Sequence, residues 1–261
     1  MPDNDHYGGG DVADRVLASL DPENIDRLAA LDQFHVGGAA ASRRLAGRAE
    51  IRNGQAVLDL GSGLGGPARL LAGEFGADVT GIDLTPSFCR IAQELSLRAG
   101  FRETTRFCAA NALALPFADG SFDAVWTEHV AMNIADRGAL YRELLRVTRP
   151  GGVLALYDLV AGPDAAALVY PVPWARSPSH SHLIGADALR RVVTGAGWTA
   201  RQFHDESPAA LDWLANARPP KGHDGPTLRD VMGPDFPRMI GNLRENFEAG
   251  RLEAVQAVFE K

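Results

Sequence analysis

The chain is poor in cysteine, in net positive charge and in long apolar runs, and each scarcity removes a class of function. Its two cysteines, Cys89 and Cys108, fall in a predicted helix and a predicted strand. They have no metal-ligand spacing and read as small buried thiols in a reducing compartment. Basic residues number 26 against 33 acidic ones, giving a formal net charge of −7. A general nucleic-acid binder needs a basic face to neutralise phosphates, so this balance argues against one. No apolar run approaches the roughly 20 residues of a membrane-spanning helix. The chain starts acidic and glycine-rich, unlike a secretory signal peptide, and the expected location is cytoplasmic. No side-chain cluster has the spacing of a metal site, and no metal is expected.

What remains is an ordinary soluble composition, 46% hydrophobic and 23% charged over 261 residues. That length suits one elaborated α/β domain. The chain is organised around Val57-Leu-Asp-Leu-Gly-Ser-Gly-Leu-Gly-Gly66. A short apolar run ends on an acid, a glycine-rich turn follows, and Pro67-Ala-Arg-Leu-Leu-Ala72 opens a helix. Strand, turn and helix form the first unit of a nucleotide-binding sheet, in which glycines allow a ligand to lie on the backbone. The motif alone leaves the cofactor open. Gly61, Gly63 and Gly66 also satisfy the dinucleotide-binding spacing, and Asp83 lies 83 − 66 = 17 residues beyond the last of them. An acid there can hold ribose hydroxyls in either kind of site.

In chain order, residues 1–10 read as a mobile tail, and 11–20 and 21–31 as two short helices, the second capped by Asp21-Pro22. A polar, glycine-bearing stretch, Asp32-Gln-Phe-His-Val-Gly-Gly38, leads into a helix over 39–49. These helices precede the sheet and are expected to cover its ligand-binding edge. Strands follow over 57–60, 78–83, 104–109, 122–128, 153–159, 198–204 and 252–259. Between them lie helices over 86–98, 136–147, 187–196, 207–217 and 236–248. Such alternation predicts a parallel sheet with helices on both faces. Residues 161–184 break the rhythm with four prolines and several aromatic side chains, as a lid does. Residues 218–235 are rich in proline and glycine. The expected division is a helical cover over 1–50 and a main domain over 51–261, with the lid and a helical insertion over 206–250.

Taken together, Asp59-Leu-Gly-Ser-Gly-Leu-Gly65, Asp83, Asn111-Ala-Leu-Ala-Leu-Pro-Phe117, the strand at Phe122-Asp123 and Arg149-Pro-Gly-Gly152 carry a resemblance. In this order and spacing they resemble the class I S-adenosylmethionine-dependent methyltransferases. More closely, the chain is similar to the small-molecule enzymes of ubiquinone/menaquinone biosynthesis and the sarcosine/dimethylglycine N-methyltransferases, over about residues 30 to 205. The resemblance implies a Rossmann-like, doubly wound α/β fold with a seven-stranded sheet whose last strand is antiparallel. It also implies S-adenosyl-L-methionine as cofactor and a small-molecule acceptor.

By the same resemblance, Asp59 and the backbone of Gly61, Gly63 and Gly65 hold the methionine part of the cofactor. Asp83 accepts from the ribose, with Leu84 beside it, while Asn111, Ala112 and Leu113 flank the adenine, and Glu128 closes the cofactor side. Asn111 departs from the pattern: relatives usually place Asp there, and Asn offers its carbonyl oxygen without charge assistance. Ala110 likewise stands where relatives often have Gly.

Open α/β sheets bind ligands beyond their strand ends, which selects the acceptor-side candidates. His129, Tyr157 and Asp158 end strands four and five and are the catalytic candidates. His35 from the cover, Met132 and Asn133 after strand four, and Trp174, His180 and His182 from the lid are the acceptor-binding candidates. Thr127-Glu-His-Val130 lacks the Asn/Asp-Pro-Pro-aromatic tetrad of nucleic-acid amino-methyltransferases. Two alternatives stand beside methyl transfer. One is an NAD-dependent oxidoreductase; the other is a non-methylating descendant that uses the cofactor structurally.

Overall fold

The computed structural model describes residues 32–216 and 227–261. The tail over 1–10, the helices expected over 11–20 and 21–31, and the first half of the proline- and glycine-rich segment lie outside the described residues. Helix α1 (Gly38–Arg48) leads to β1 (Ala56–Leu60), α2 (Gly66–Phe75), β2 (Asp78–Asp83), α3 (Pro86–Arg98) and β3 (Thr105–Ala109). Then come β4 (Phe122–Glu128), α4 (Arg137–Val147), β5 (Thr148–Ala161), α5 (Ala186–Gly195) and β6 (Thr199–Asp205). The described chain ends with α6 (Ser207–Asn216), α7 (Leu228–Met232), α8 (Phe236–Glu248) and β7 (Leu252–Glu260).

The seven strands lie in the order β3-β2-β1-β4-β5-β7-β6. The first five are mutually parallel, and β7 runs antiparallel between β5 and β6. This is the expected mixed sheet with its last strand reversed. Chain order changes direction between β1 and β4, and that switch point is where such sheets bind ligands.

Parallel strands covered on both faces must be apolar on both, and the core divides accordingly. Val57, Val79, Trp126, Ala155, Tyr157 and Leu159 pack towards α1, α2, α6 and α8. Leu58, Leu60, Val125, Leu154, Leu156 and Val160 pack towards α4 and α5. The α4 stripe reads as its periodicity predicts, with Leu140, Tyr141, Leu144 and Val147 buried. The Asp136 side chain caps that helix by accepting the Ala139 N–H at 2.8 Å.

Two elements differ from the sequence expectation. β5 begins at Thr148 rather than 153: Phe122 pairs with Thr148, the register shifts, and pairing resumes at Ala124 with Val153. Arg149-Pro-Gly-Gly152 is thus a bulge within a strand. Residues 228–232 form α7 inside the proline- and glycine-rich part of the expected helical insertion, to which the sequence assigned no element of its own. Its signal is a capping box, in which the Thr227 N–H donates to Asp230 Oδ2 at 2.7 Å.

Helix α1 is fastened to the antiparallel half of the sheet. Arg44 and Arg48 both reach the buried Glu206, at 2.8 and 2.6 Å. The Gln256 amide of β7 donates to the Ala41 carbonyl at 3.0 Å. Residues 162–184 contain only short turns and are held by α8. Asn246 exchanges two hydrogen bonds of 2.9 Å with the backbone of Val169, and Asn242 donates to the Pro171 carbonyl at 2.9 Å. Among the described residues no helix is long and apolar enough to cross a membrane.

Candidate active site

Strand register puts three acids together. Asp59 of β1 pairs with Gly81 of β2 on one side and with Trp126 of β4 on the other. Asp83 and Glu128 each stand two residues beyond those partners. Because a strand returns to the same face every second residue, the three carboxylates share the face covered by α1 and α2. Each lies at or near the carboxyl end of its strand.

Their environments differ. Asp59 is buried and its Oδ2 has no hydrogen-bond partner. Burial, with the charges of Glu128 and Asp83, pushes its carboxyl well above the usual range. Asp83 accepts the Gly63 N–H at 3.1 Å and the Thr85 N–H at 2.8 Å, which bind the glycine turn to the start of α3. Burial raises Asp83 as well. Glu128 accepts the Ser42 hydroxyl at 3.1 and 2.9 Å and the Trp126 indole N–H at 3.2 Å, and burial carries it to about 8.

Residues 32–37 form a strap across these strand ends. Gly61, Gly63 and Gly65 all have positive φ, at 71°, 51° and 81°. A Cβ on Gly63 would stand 3.0 Å from the Phe34 ring, and one on Gly66 would meet the Asp32 carbonyl at 2.5 Å. Glycine there lets the strap lie directly on the turn. Asp32 forms a buried ion pair with Arg69 of α2, whose guanidinium also reaches Ser96 Oγ on α3 at 3.1 Å. Phe34 packs near Phe88, with ring centroids 6.0 Å apart.

His35 carries the strap to the acceptor side. Its Nε2 lies 3.0 Å from the Gly38 carbonyl and 3.1 Å from Ser42 Oγ. Glu128 Oε1 is 3.6 Å away. Burial holds His35 down at about 4, so at neutral pH this contact joins a neutral imidazole to a largely protonated carboxyl rather than two ions. The His35 ring meets the rings of His129 and Tyr157 edge-on at 6.0 and 6.1 Å, and His129 and Tyr157 are 4.7 Å apart. His129 has φ 54°, and its Nε2 is buried without a partner. Burial, then the neighbouring His35, depresses its imidazole well below 6.5, and burial raises the Tyr157 phenol.

The other candidates scatter. Asp158 faces the opposite side of the sheet and pairs with Arg137 of α4 at 3.4 Å; burial lifts its carboxyl to about 6 despite that partner. Met132 is buried and its carbonyl accepts the His182 N–H at 2.9 Å; Asn133 is exposed. Trp174 is buried in the core beside α8, with its indole N–H on Ser181 Oγ at 3.0 Å. His180 is exposed and bonded to Ser177 and Ser179. Beyond β2 and β3, Leu84 and Leu113 leave apolar side chains exposed. Asn111 Oδ1 accepts the Leu113 N–H at 2.9 Å, and Ala112 lies partly buried between them.

Sequence reasoning passed over Ser42, Trp126, Asp32 and Arg69. Arg69 left a readable signal: a charged residue amid the buried positions of an apolar helix needs a buried partner.

The arrangement suits a cationic ligand. Four carboxylates, of Asp32, Asp59, Asp83 and Glu128, surround the glycine turn, and Arg69 is committed to Asp32. Helix N-termini attract anions, which is how dinucleotide enzymes hold pyrophosphate. Here the Asp32 carboxyl already lies against Gly66 at the start of α2.

Comparison with known proteins agrees. A family described as a methyltransferase domain matches residues 58–156. The 27-O-demethylrifamycin SV methyltransferase of Amycolatopsis mediterranei is 38% identical over 204 residues, covering 77% of this chain and 75% of that protein. Methyltransferase GfsG of Streptomyces halstedii is 35% identical over 60% of this chain and 51% of its own length. Several curated relatives match over about half of their length or less. In fold, the chain is similar to a putative sarcosine dimethylglycine methyltransferase from Galdieria sulphuraria, with a TM-score of 0.70, 20% identity and 85% of each chain covered.

Proposed function

The chain belongs to the class I S-adenosylmethionine-dependent methyltransferases, and from that membership we propose that it transfers the cofactor's methyl group to a small-molecule acceptor by in-line displacement. The observation that carries this reading is the acidic cradle, with Asp59 buried and unpartnered at its centre. It fits a ligand bearing an ammonium and a sulfonium. A dinucleotide pyrophosphate would meet Asp32 where it needs donors, which disfavours the oxidoreductase reading.

The cofactor supplies a methyl group on sulfur that is already electrophilic. The protein's part is orientation and exclusion of water, which can supply roughly 7–11 kcal/mol in favourable cases. Asp59 holds the ammonium and Asp83 the ribose hydroxyls, while Leu84 and Leu113 flank the adenine, with Asn111 and Ala112 at its edge. On the acceptor side His35, Met132, His129 and Tyr157 line the approach, and Trp174 and His182 back it. Neutral at physiological pH, His129 accepts a proton at Nε2 from a hydroxyl, phenol or activated carbon; towards a neutral amine it orients. Asp158 serves through Arg137 and touches no acceptor, and the exposed His180 stands at the rim.

The finer parts of this reading rest on composition. The net charge of −7 favours a small acceptor over nucleic acid. Calorimetry with S-adenosylhomocysteine and NADH tests the cofactor: tight binding of NADH alone would overturn the proposal. Transfer of labelled methyl into amines, phenols and quinols separates an active enzyme from a non-methylating descendant.

A further inference from the structure

Of the three strand-end carboxylates, Glu128 alone both couples to Asp59 and borders the rings of His35 and Tyr157. Asp83 is engaged by backbone N–H groups. Asp59 lies behind the glycine turn on β1, one strand from Glu128. Around Glu128 stand Ser42 of α1, Trp126 of its own strand, His35 of the strap, Tyr157 paired to it across β5, and Asp59. The next residue, His129, packs on Tyr157. None of these groups is a lysine or arginine, and the nearest helix arginines, Arg44 and Arg48, are committed to Glu206. Among the described residues the carboxyl is therefore buried with neutral donors and a second acid, and no cation neutralises it.

The methyl donor and its thioether product share their ammonium, carboxylate, ribose and adenine. They differ by one methyl group and one positive charge. Resting on the cofactor reading above, we propose that Glu128 is the residue by which the site distinguishes charged donor from neutral product. Its carboxyl is protonated in the free protein, releases the proton to solvent when a sulfonium lies beside it, and takes a proton back once the methyl has left. Charge balances at each stage, since one cation enters as one proton leaves. Asp59 titrates with the ammonium, which both ligands carry, so its contribution cancels when the two are compared. Burial holds the free Glu128 at about 8, which leaves the carboxyl mostly protonated at neutral pH. His35, at about 4, stays neutral throughout.

The test is calorimetry of S-adenosylmethionine and S-adenosylhomocysteine at pH 7 in buffers with different heats of ionisation. The expected result is that the donor releases about one proton more than the product, as linkage requires when a bound cation ionises a protonated acid. The ratio of donor to product affinity should rise about 20- to 30-fold between pH 6.5 and 9, since a carboxyl held at about 8 goes from roughly 3% to roughly 90% ionised over that range. In Glu128→Gln, which keeps an acceptor for Ser42 and Trp126, both the proton difference and the pH dependence should vanish. Equal proton release for the two ligands in the unaltered protein would overturn the inference without need of any variant. Persistence of the difference in Glu128→Gln would also overturn it and move the effect to Asp59. Failure of both ligands to bind would remove the cofactor reading itself.

Discussion

Tyr157 and Asp158 are adjacent in sequence and stand on opposite faces of β5. Tyr157 joins the aromatic group of His35 and His129, whereas Asp158 pairs with Arg137 beneath the sheet. Arg137 also donates to the His182 carbonyl at 3.0 Å, and His182 in turn donates to Met132. Asp158 thus belongs to a tie among α4, β5 and the end of the 162–184 segment, away from the imidazoles.

Replacing Asp158 by Ala leaves the Arg137 guanidinium buried without its counter-charge. Removal of one partner from a buried pair costs about 3–5 kcal/mol. Urea unfolding should show that loss, while calorimetric affinity for S-adenosylhomocysteine stays within about twofold, since the residues proposed to hold the cofactor lie on the other face. A large loss of cofactor affinity at unchanged stability would return Asp158 to the active site.

His129→Gln keeps a hydrogen-bonding group and removes the base. With a hydroxyl or phenol acceptor identified by the methyl-transfer screen, turnover should fall about 10²–10⁴-fold, the usual contribution of a positioned base. Cofactor affinity should hold. The imidazole acts in its unprotonated form, and its pKa is depressed well below 6.5. The acid limb of the wild-type profile should therefore fall well below pH 6.5. Near-wild-type turnover and an unchanged profile in the variant would leave Tyr157 or proximity alone.

Asp83→Ala removes the acceptor assigned to the ribose and unties the glycine turn from α3. Loss of a buried hydrogen-bond partner costs about 1–3 kcal/mol, or roughly 5- to 150-fold in S-adenosylhomocysteine affinity. Unchanged affinity by calorimetry would take Asp83 out of the site.

Glu128 and His35 impose opposite pH dependences on stability. Glu128 is raised from 4.5 to about 8 in the folded chain, so its contribution is full below pH 4.5 and is lost as pH rises through 8. His35 is lowered from 6.5 to about 4, so its contribution is full above pH 6.5 and is lost as pH falls through 4. Thermal unfolding of Glu128→Gln without ligand should gain on the wild type steadily from pH 5 to 8.5. Parallel curves over that range would contradict a protonated Glu128.

Much of this site was legible because its residues end strands, and strand ends are marked by turns. The glycine turn, Asp83 and the Asn111 loop fall where their spacing put them. Which face a strand-end residue takes is harder to read, because a strand apolar on both sides carries no alternation; Tyr157 and Asp158 show the result. β5 also hid its first residues, since a proline and two glycines look like a turn even when they bulge from a strand. The docking of the strap was out of reach for another reason. Asp32 meets Arg69 across 37 positions, and no local pattern encodes such a contact.

Gly37 and Gly38, at φ 85° and 49°, are the joint between an upright post and a crossing bar. The post is α1, tied to Glu206 and Gln256 on the reversed half of the sheet. The bar is residues 32–36, latched by Asp32 to Arg69 on the glycine half. Phe34 against Gly63 and His35 against Ser42 and Glu128 fill the span between latch and joint. One short segment thus bridges the two halves of the sheet above Asp59, so the parallel and the reversed strands share a single covering clasp.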